Sequence, residues 1–126
     1  MKREGKMHLN DLVFRSKEDI EVMENLHADG NYAEFKQLIV HGNCIAKETI
    51  RAEKLVVDGN LEAKNVITCE LYVRGNVNVS KLTICDAEIN GNLIADFLQT
   101  NYGYVTVGGK VKIKYVSGCI VALFVG

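Results

Sequence analysis

Proline is absent from this chain of 126 residues. Because proline lacks a backbone donor and is confined in sheets to edges and bulges, its absence suits a chain built of uninterrupted hydrogen-bonded strands. Long apolar runs are absent too, and none approaches the length of a membrane span. The basic residues Lys2, Arg3 and Lys6 are not followed by the apolar segment that a secretory signal peptide needs. We therefore expect no signal peptide and no integral membrane segment.

Net charge is also nearly absent. The 15 basic and 16 acidic residues give a formal charge of -1, which leaves no sequence-wide attraction to nucleic acid or to an anionic membrane. The apolar fraction of 48% and the charged fraction of 25% are those of an ordinary soluble globular chain. The four cysteines lack paired CxxC spacing, which predicts reduced, buried thiols in a cytoplasmic protein.

A short internal repeat is the strongest feature of the sequence. The segment from Leu55 to Ala63 returns sixteen residues later as the segment from Leu71 to Val79, and a short apolar segment closes each copy. A repeat of this length cannot bury an apolar face alone and must stack on its neighbours. The sequence therefore predicts a solenoid in which each repeat is one coil.

The repeat is followed most easily by its glycine turn, which steps by 17, 16 and 16 residues from Gly42 to Gly91 and then by 18 to Gly109. Within each coil the apolar positions alternate as in three short strands separated by two corners. We predict an all-β fold, a single-stranded parallel β-helix of about six coils of 16–18 residues. The crossover rule for parallel strands favours right-handed winding and leaves the left-handed form open. The predicted coils begin near Ile20, Leu38, Leu55, Leu71, Ala87 and Val105, with a partial coil from Val121.

The predicted domain organisation is an N-terminal cap or tail over residues 1–19 and a β-helix domain over residues 20–126. Residues 16–30 fit either a capped helix or a degenerate first coil, and the match of Ile20 to Ala28 with the later repeats favours the coil. A cap is expected because an uncovered solenoid end exposes unpaired backbone groups. The two extra residues within 99–103 predict a short surface loop. The proposed cap residues are Met7, Leu9, Leu12 and Phe14.

The glycine turn is interpreted as structural. A tight corner needs one residue with φ above zero, and glycine adopts this conformation without steric cost. The asparagines that follow are expected to stack at the coil spacing, with side-chain amides bonded in a ladder. The predicted turn residues are Gly42, Asn43, Gly59, Asn60, Gly75, Asn76, Gly91, Asn92 and Gly109.

No catalytic, cofactor or metal site is predicted. GxGxxG and P-loop patterns are absent, so a phosphate cradle is not supported. Cys69, Cys85 and Cys119 share one position in the repeat and are expected to line one wall of the core, with no histidine in the same frame to complete a metal site. His8, His27 and His41 are expected to be solvated, since no orienting carboxylate or cleft is evident from the sequence.

Two apolar stretches are candidate interfaces. Ile39, Val56 and Tyr72 each follow a coil start and would form an exposed apolar strip, which either binds a partner or lies beneath residues 1–19. The chain also finishes on the apolar stretch 119–126, which has no evident cap. Its candidate interface residues are Val121, Leu123 and Phe124.

The pattern Leu-x-Val-x-Gly-Asn-Leu-x-Ala, as in residues 55–63 and 71–79, resembles the bactofilins, which are bacterial polymer-forming cytoskeletal proteins. The resemblance covers roughly residues 38–118. It implies a right-handed parallel β-helix that assembles end to end into filaments without nucleotide. The end coils near Ile20 and Val121 would then be the polymerising surfaces.

Two other groups of proteins have similar repeats. Small bacterial proteins encoded beside polymorphic toxins would imply a binding or immunity module. The hexapeptide acyltransferases share the general shape, but their coils are steadier at eighteen residues and use a histidine between subunits, for which this chain has no good match.

These observations predict a non-enzymatic cytoplasmic scaffold that forms homo-oligomers, and possible polymers, through the ends of its β-helix. The alternative is a small binding or immunity module that recognises an unknown protein partner through an exposed face. Neither prediction requires a cofactor.

Overall fold

The computed structural model describes the backbone of residues 2–3 and 5–126, and the side chains of residues 5–118 and 123–126. Within these residues the secondary structure consists of strands, turns and bends, with no helix. The strands are β1 (Lys2–Arg3), β2 (Met7–Leu9), β3 (Val13–Arg15), β4 (Asp19–Val22), β5 (Leu26–Ala28), β6 (Tyr32–Val40), β7 (Cys44–Ala46), β8 (Thr49–Val57), β9 (Leu61–Val73), β10 (Val77–Ile84), β11 (Asp86–Ile89), β12 (Leu93–Val107) and β13 (Val111–Val125).

Every strand pairing among the described residues is parallel, and each interior turn hydrogen-bonds to the turns before and after it. The stack is a β-solenoid of about 7 turns. Leu55, for example, lies between Leu38 of the preceding turn and Leu71 of the following turn. The predicted all-β parallel solenoid is therefore confirmed, while its right-handed winding stays a prediction.

The core is a set of aligned apolar rows that run along the solenoid axis. The alternation read from the sequence selects these rows correctly: Leu71, Val73, Val77, Val79 and Ile84 are all buried, as are their stacked equivalents in the interior turns. Since each inward side chain contacts its counterpart one turn away, burial depends on having a turn on both sides.

The N-terminal segment forms strands of its own. Met7 pairs with Leu26, and Val13 pairs with Tyr32, so β2 and β3 continue the ladders as one more turn. Residues 16–30, for which a helix was one alternative, hold strands β4 and β5. The first-coil interpretation of this region is confirmed and the helix is wrong, because the apolar positions alternate in steps of two.

The extra residues near position 101 do not form a free loop. They are absorbed as a β-bulge inside β12, where the register with β13 shifts between Asn101 and Tyr104. Tyr102 takes a φ of 52° and is largely exposed. A bulge keeps the flanking residues in the ladder while one residue is left out of register, so the predicted surface loop is corrected to an in-strand bulge.

Candidate assembly surface

The glycine turn is the most regular corner of the solenoid. Each asparagine side chain accepts a hydrogen bond from the backbone N–H at the same position one turn later. Asn60 N–H donates to Asn43 Oδ1 at 2.9 Å, and Asn76 N–H donates to Asn60 Oδ1 at 2.9 Å. The series begins at Asn25 and ends where Lys110 N–H donates to Asn92 Oδ1 at 2.8 Å. The predicted ladder exists, but it joins side chain to backbone rather than amide to amide.

The glycines are required for a reason different from the predicted one. Positive φ among the glycines occurs at Gly5 and Gly118, and the glycines of the repeated turn do not adopt it. A Cβ on Gly59 would instead lie 2.3 Å from Asn43 Oδ1 and 2.7 Å from the Gly42 carbonyl oxygen. The corner therefore excludes side chains because successive turns approach too closely.

The last turn of the solenoid leaves its core side uncovered. Leu123 stacks on the buried Val105 and Val125 on the buried Val107, yet these two side chains are 45% and 54% exposed. Val116, which stacks on buried Leu98, is 54% exposed. These inward positions have a turn on one side only, so apolar surface that is buried elsewhere in the solenoid faces solvent here.

The edge of this last turn is long and mostly free of charge. β13 runs from Val111 to Val125, and among the described strands it pairs only with β12. Its charged residues, Lys112 and Lys114, lie near its start, and residues 115–126 carry no charge. Lysines on an edge strand discourage pairing with another chain, whereas a long, flat, apolar edge promotes it. The unprotected part of the edge is therefore residues 115–126.

The opposite end of the solenoid is built differently. β1, β2 and β3 contain 2, 3 and 3 residues, so each offers only a short edge. The inward side chains Met7 and Leu9 are 4% and 8% exposed. Short edge strands are one of the ways in which proteins avoid unwanted strand pairing. The two ends thus differ, and the C-terminal end carries the exposed apolar row.

The two groups of predicted interface residues occupy distinct places. Ile39, Val56 and Tyr72 are stacked in register as one outward row, and Tyr72 is 37% exposed. Residues 7–15 form their own turn and do not lie across this row, which contradicts the alternative of an intramolecular cover. Phe124 lies on the outer face of β13 and Leu123 on its inner side, while the side chain of Val121 is outside the described residues.

The prediction of buried cysteines is wrong for Cys69 and Cys85. Cys69 is exposed and Cys85 is half-buried. Thr68 faces inward before the corner and Leu71 after it, so two consecutive residues point outward between them. The prediction extended the alternation of inward and outward residues through the corner, and it therefore placed these cysteines on the inner side of the chain. The two cysteines do lie on adjacent turns as predicted, and the side chain of Cys119 is outside the described residues.

A charged row centred on His41 was missed by the sequence analysis. His41 Nε2 lies 2.6 Å from Glu21 Oε2, and His41 Nδ1 lies 2.9 Å from Asp58 Oδ2. Both hydrogen bonds raise the pKa of His41, the one with Glu21 more than the one with Asp58. Arg74 Nε extends the row, 3.7 Å from Asp58 Oδ1. His41, Asp58 and Arg74 each stand directly before the glycine of a repeat, a signal that aligning the repeats would have revealed.

The arrangement around His41 is an exposed ladder in which acidic and basic side chains alternate. A second histidine, His8, contacts Asp29, and its hydrogen bond is the first cause of the lowered pKa of that carboxyl group. Within residues 5–118 and 123–126, no three histidine, cysteine or carboxylate side chains are grouped to hold a metal ion. The described residues contain no helix long and apolar enough to cross a membrane.

Comparison with known proteins yields no match to any family, to any curated protein or to any solved structure.

Proposed function

We propose that this protein is a structural scaffold that assembles with copies of itself through the C-terminal end of the solenoid. The observation that carries the proposal is the exposed inner row of the last turn, Val116, Leu123 and Val125, on a strand edge that is free of charge from residue 115 onward. The resemblance of the repeat to the bactofilins points to the same class of function.

The physical basis of assembly is strand addition. A second copy that places a strand against β13 gives its free N–H and C=O groups partners and covers the exposed row in the same step. Burial of apolar surface contributes about 25 cal/mol per Å², and the backbone bonds fix the register of the two edges. Assembly through this edge requires no nucleotide and no catalytic group.

Leu123→Lys tests this assembly mode. The substitution places a charge at an inner position of the edge, where a second copy would have to bury it, so we expect the assembled mass to fall to that of a small fixed species. Light scattering over a concentration series, with negative-stain imaging of the same samples, measures the outcome. The wild type is expected to gain mass with concentration, to a dimer where two C-terminal edges pair with each other and to filaments where the edge pairs with the N-terminal turn of the next copy.

Ile94→Lys is the matched control, because Ile94 is 44% exposed on a side face, away from the free edge of β13. It should leave assembly unchanged. Circular dichroism of both variants checks that the solenoid is intact. Self-assembly that persists in folded Leu123→Lys would show that the C-terminal edge is not the assembly surface.

A second candidate function is a binding module that captures a protein partner through Ile39, Val56 and Tyr72. The stacked row favours it, in which Tyr72 is exposed and Ile39 and Val56 are half-buried. Lys54 Nζ lies 5.6 Å from the Tyr72 ring centroid and adds charge beside the row. Here Tyr72→Glu should abolish partner capture and leave the oligomeric state unchanged. A loss of self-assembly in this variant would assign the row to contacts between copies instead.

A further inference from the structure

Cys69 and Cys85 are neighbours across adjacent turns. Cys69 lies in β9, and its carbonyl oxygen accepts a hydrogen bond of 3.2 Å from the Cys85 N–H. Paired strands lie about 4.8 Å apart, which is within the Cα separation that a disulfide spans. The pair therefore has the backbone spacing needed for a covalent link between turns.

Both thiols are accessible from the same side. They line a groove of about 760 Å³ that follows this corner of the solenoid, together with Thr83, Gln99 and Asn101. Cys44, in contrast, is fully buried, and burial raises its pKa to about 12. A reagent in solution can reach Cys69 and Cys85, while Cys44 remains a protonated core thiol.

The backbone at Cys85 departs from regular strand geometry. Cys85 lies between β10, which ends at Ile84, and β11, which begins at Asp86. The following turn carries the bulge at Tyr102, and Tyr104 N–H bonds the Asp86 side chain instead of a backbone carbonyl. This irregular corner can supply the small approach of the two Cβ atoms that disulfide geometry requires.

We propose that Cys69 and Cys85 form a reversible intramolecular disulfide on oxidation by a hydroperoxide. The Cys69 thiolate attacks the peroxide, the O–O bond breaks, and a sulfenic acid forms on Cys69 while one oxygen leaves as water. The Cys85 thiolate then attacks the Cys69 sulfur and displaces the second oxygen, also as water. In sum, two thiols and one hydrogen peroxide give one disulfide and two waters.

Cys69 is assigned the first attack because it is the more exposed of the two. Burial, and then the neighbouring Cys69, raise the pKa of Cys85. At neutral pH its thiolate is therefore scarcer than that of an ordinary cysteine, which suits the residue that attacks second and completes the disulfide. The resulting bond ties two consecutive turns in the middle of the solenoid. It restricts the unfolded chain, so the oxidised protein should unfold at a higher denaturant concentration than the reduced protein.

Peptide mapping under non-reducing conditions tests the proposal. The reduced protein is treated with hydrogen peroxide, free thiols are alkylated, and the protein is digested with trypsin. Cleavage at Lys64, Arg74, Lys81 and Lys110 places Cys69 in peptide 65–74 and Cys85 in peptide 82–110. We expect these two peptides to be joined, with a mass two hydrogen atoms below the sum of the reduced peptides. The undigested protein should show no cross-link between chains. Dithiothreitol should separate them.

Cys69→Ser and Cys85→Ser should each abolish the linked peptide and the shift in the denaturant midpoint. Cys44→Ser is the control and should retain both, and each variant is first checked for native circular dichroism. The proposal is overturned by a link from either cysteine to Cys44 or Cys119, by a cross-link between two chains, or by sulfinic acid in place of the disulfide.

Discussion

Two threonines at equivalent positions of different turns differ in their hydrogen bonding because the backbone that follows them differs. Thr68 and Thr100 both face the core just before the same corner of the solenoid. The Thr68 hydroxyl donates to the carbonyl of Glu70 at 3.0 Å, two residues ahead. The corresponding carbonyl for Thr100 belongs to Tyr102, the residue of the bulge, and Thr100 Oγ1 has no hydrogen-bond partner among the described residues.

Valine substitutions should therefore have opposite effects at these two positions. We expect Thr68→Val to lower the free energy of unfolding by about 1 kcal/mol, since the carbonyl loses its donor. Thr100→Val removes a buried hydroxyl that lacks a protein partner, and it should leave the free energy unchanged or raise it by about 1 kcal/mol. Urea unfolding of both variants measures the difference. Equal destabilisation would mean that the Thr100 hydroxyl is bonded.

At the scale of a strand, the sequence predicts well wherever alternation is unbroken. Leu71 and Val73, or Val77 and Val79, are inward because successive residues of a strand point to opposite faces. A corner interrupts this period of two. The alternation does not indicate how many residues the corner contains. Cys69 was misplaced for that reason, and the Tyr102 bulge was read as a loop.

Contacts between turns depend on register rather than on period. The glycine turn fixes the register, which is why the stacking of Asn60 on Asn43 was predictable. The pairing of His41 with Asp58 follows from the same register, but it appears only when residues before the glycines are aligned as a column. Glu21 does not belong to this column, because its backbone pairs with Ile39, two residues before His41. Its side-chain contact with His41 therefore requires the structure.

The His41 row makes the stability of this corner depend on pH. Because Glu21 and Asp58 raise the pKa of His41 in the folded protein, the protonated form is favoured by folding. The stabilisation is fully present below the unfolded histidine pKa of about 6.5 and is lost as pH rises through the higher folded value. We expect the urea midpoint to fall between about pH 5.5 and about pH 8.5 more steeply in the wild type than in His41→Gln. Parallel slopes would show that the row does not favour the charged imidazole.

At the scale of the whole molecule, a solenoid distributes its stability turn by turn, since each turn contacts only its neighbours. The interior turns are bonded on both sides, whereas β13 is bonded only through β12 among the described strands. Local opening should therefore be easiest at the last turn, and backbone amides there should exchange fastest. Assembly through this edge would give β13 the second neighbour that it lacks.

Hydrogen exchange at two protein concentrations tests whether the last turn opens most easily and is covered on assembly. On dilution, amides within Leu123–Gly126 should exchange faster than those of the interior strand that contains Leu71, because their turn is covered on one side only. At high concentration we expect protection to increase at Leu123–Gly126, while protection around Tyr72 stays constant, since strand addition covers the edge and leaves the side face in solvent. An increase confined to the peptide that contains Tyr72 would place the contact between copies on the side of the solenoid. In Leu123→Lys the increase at the last turn should disappear, because the added charge opposes the pairing of the edge without altering the turns beneath it.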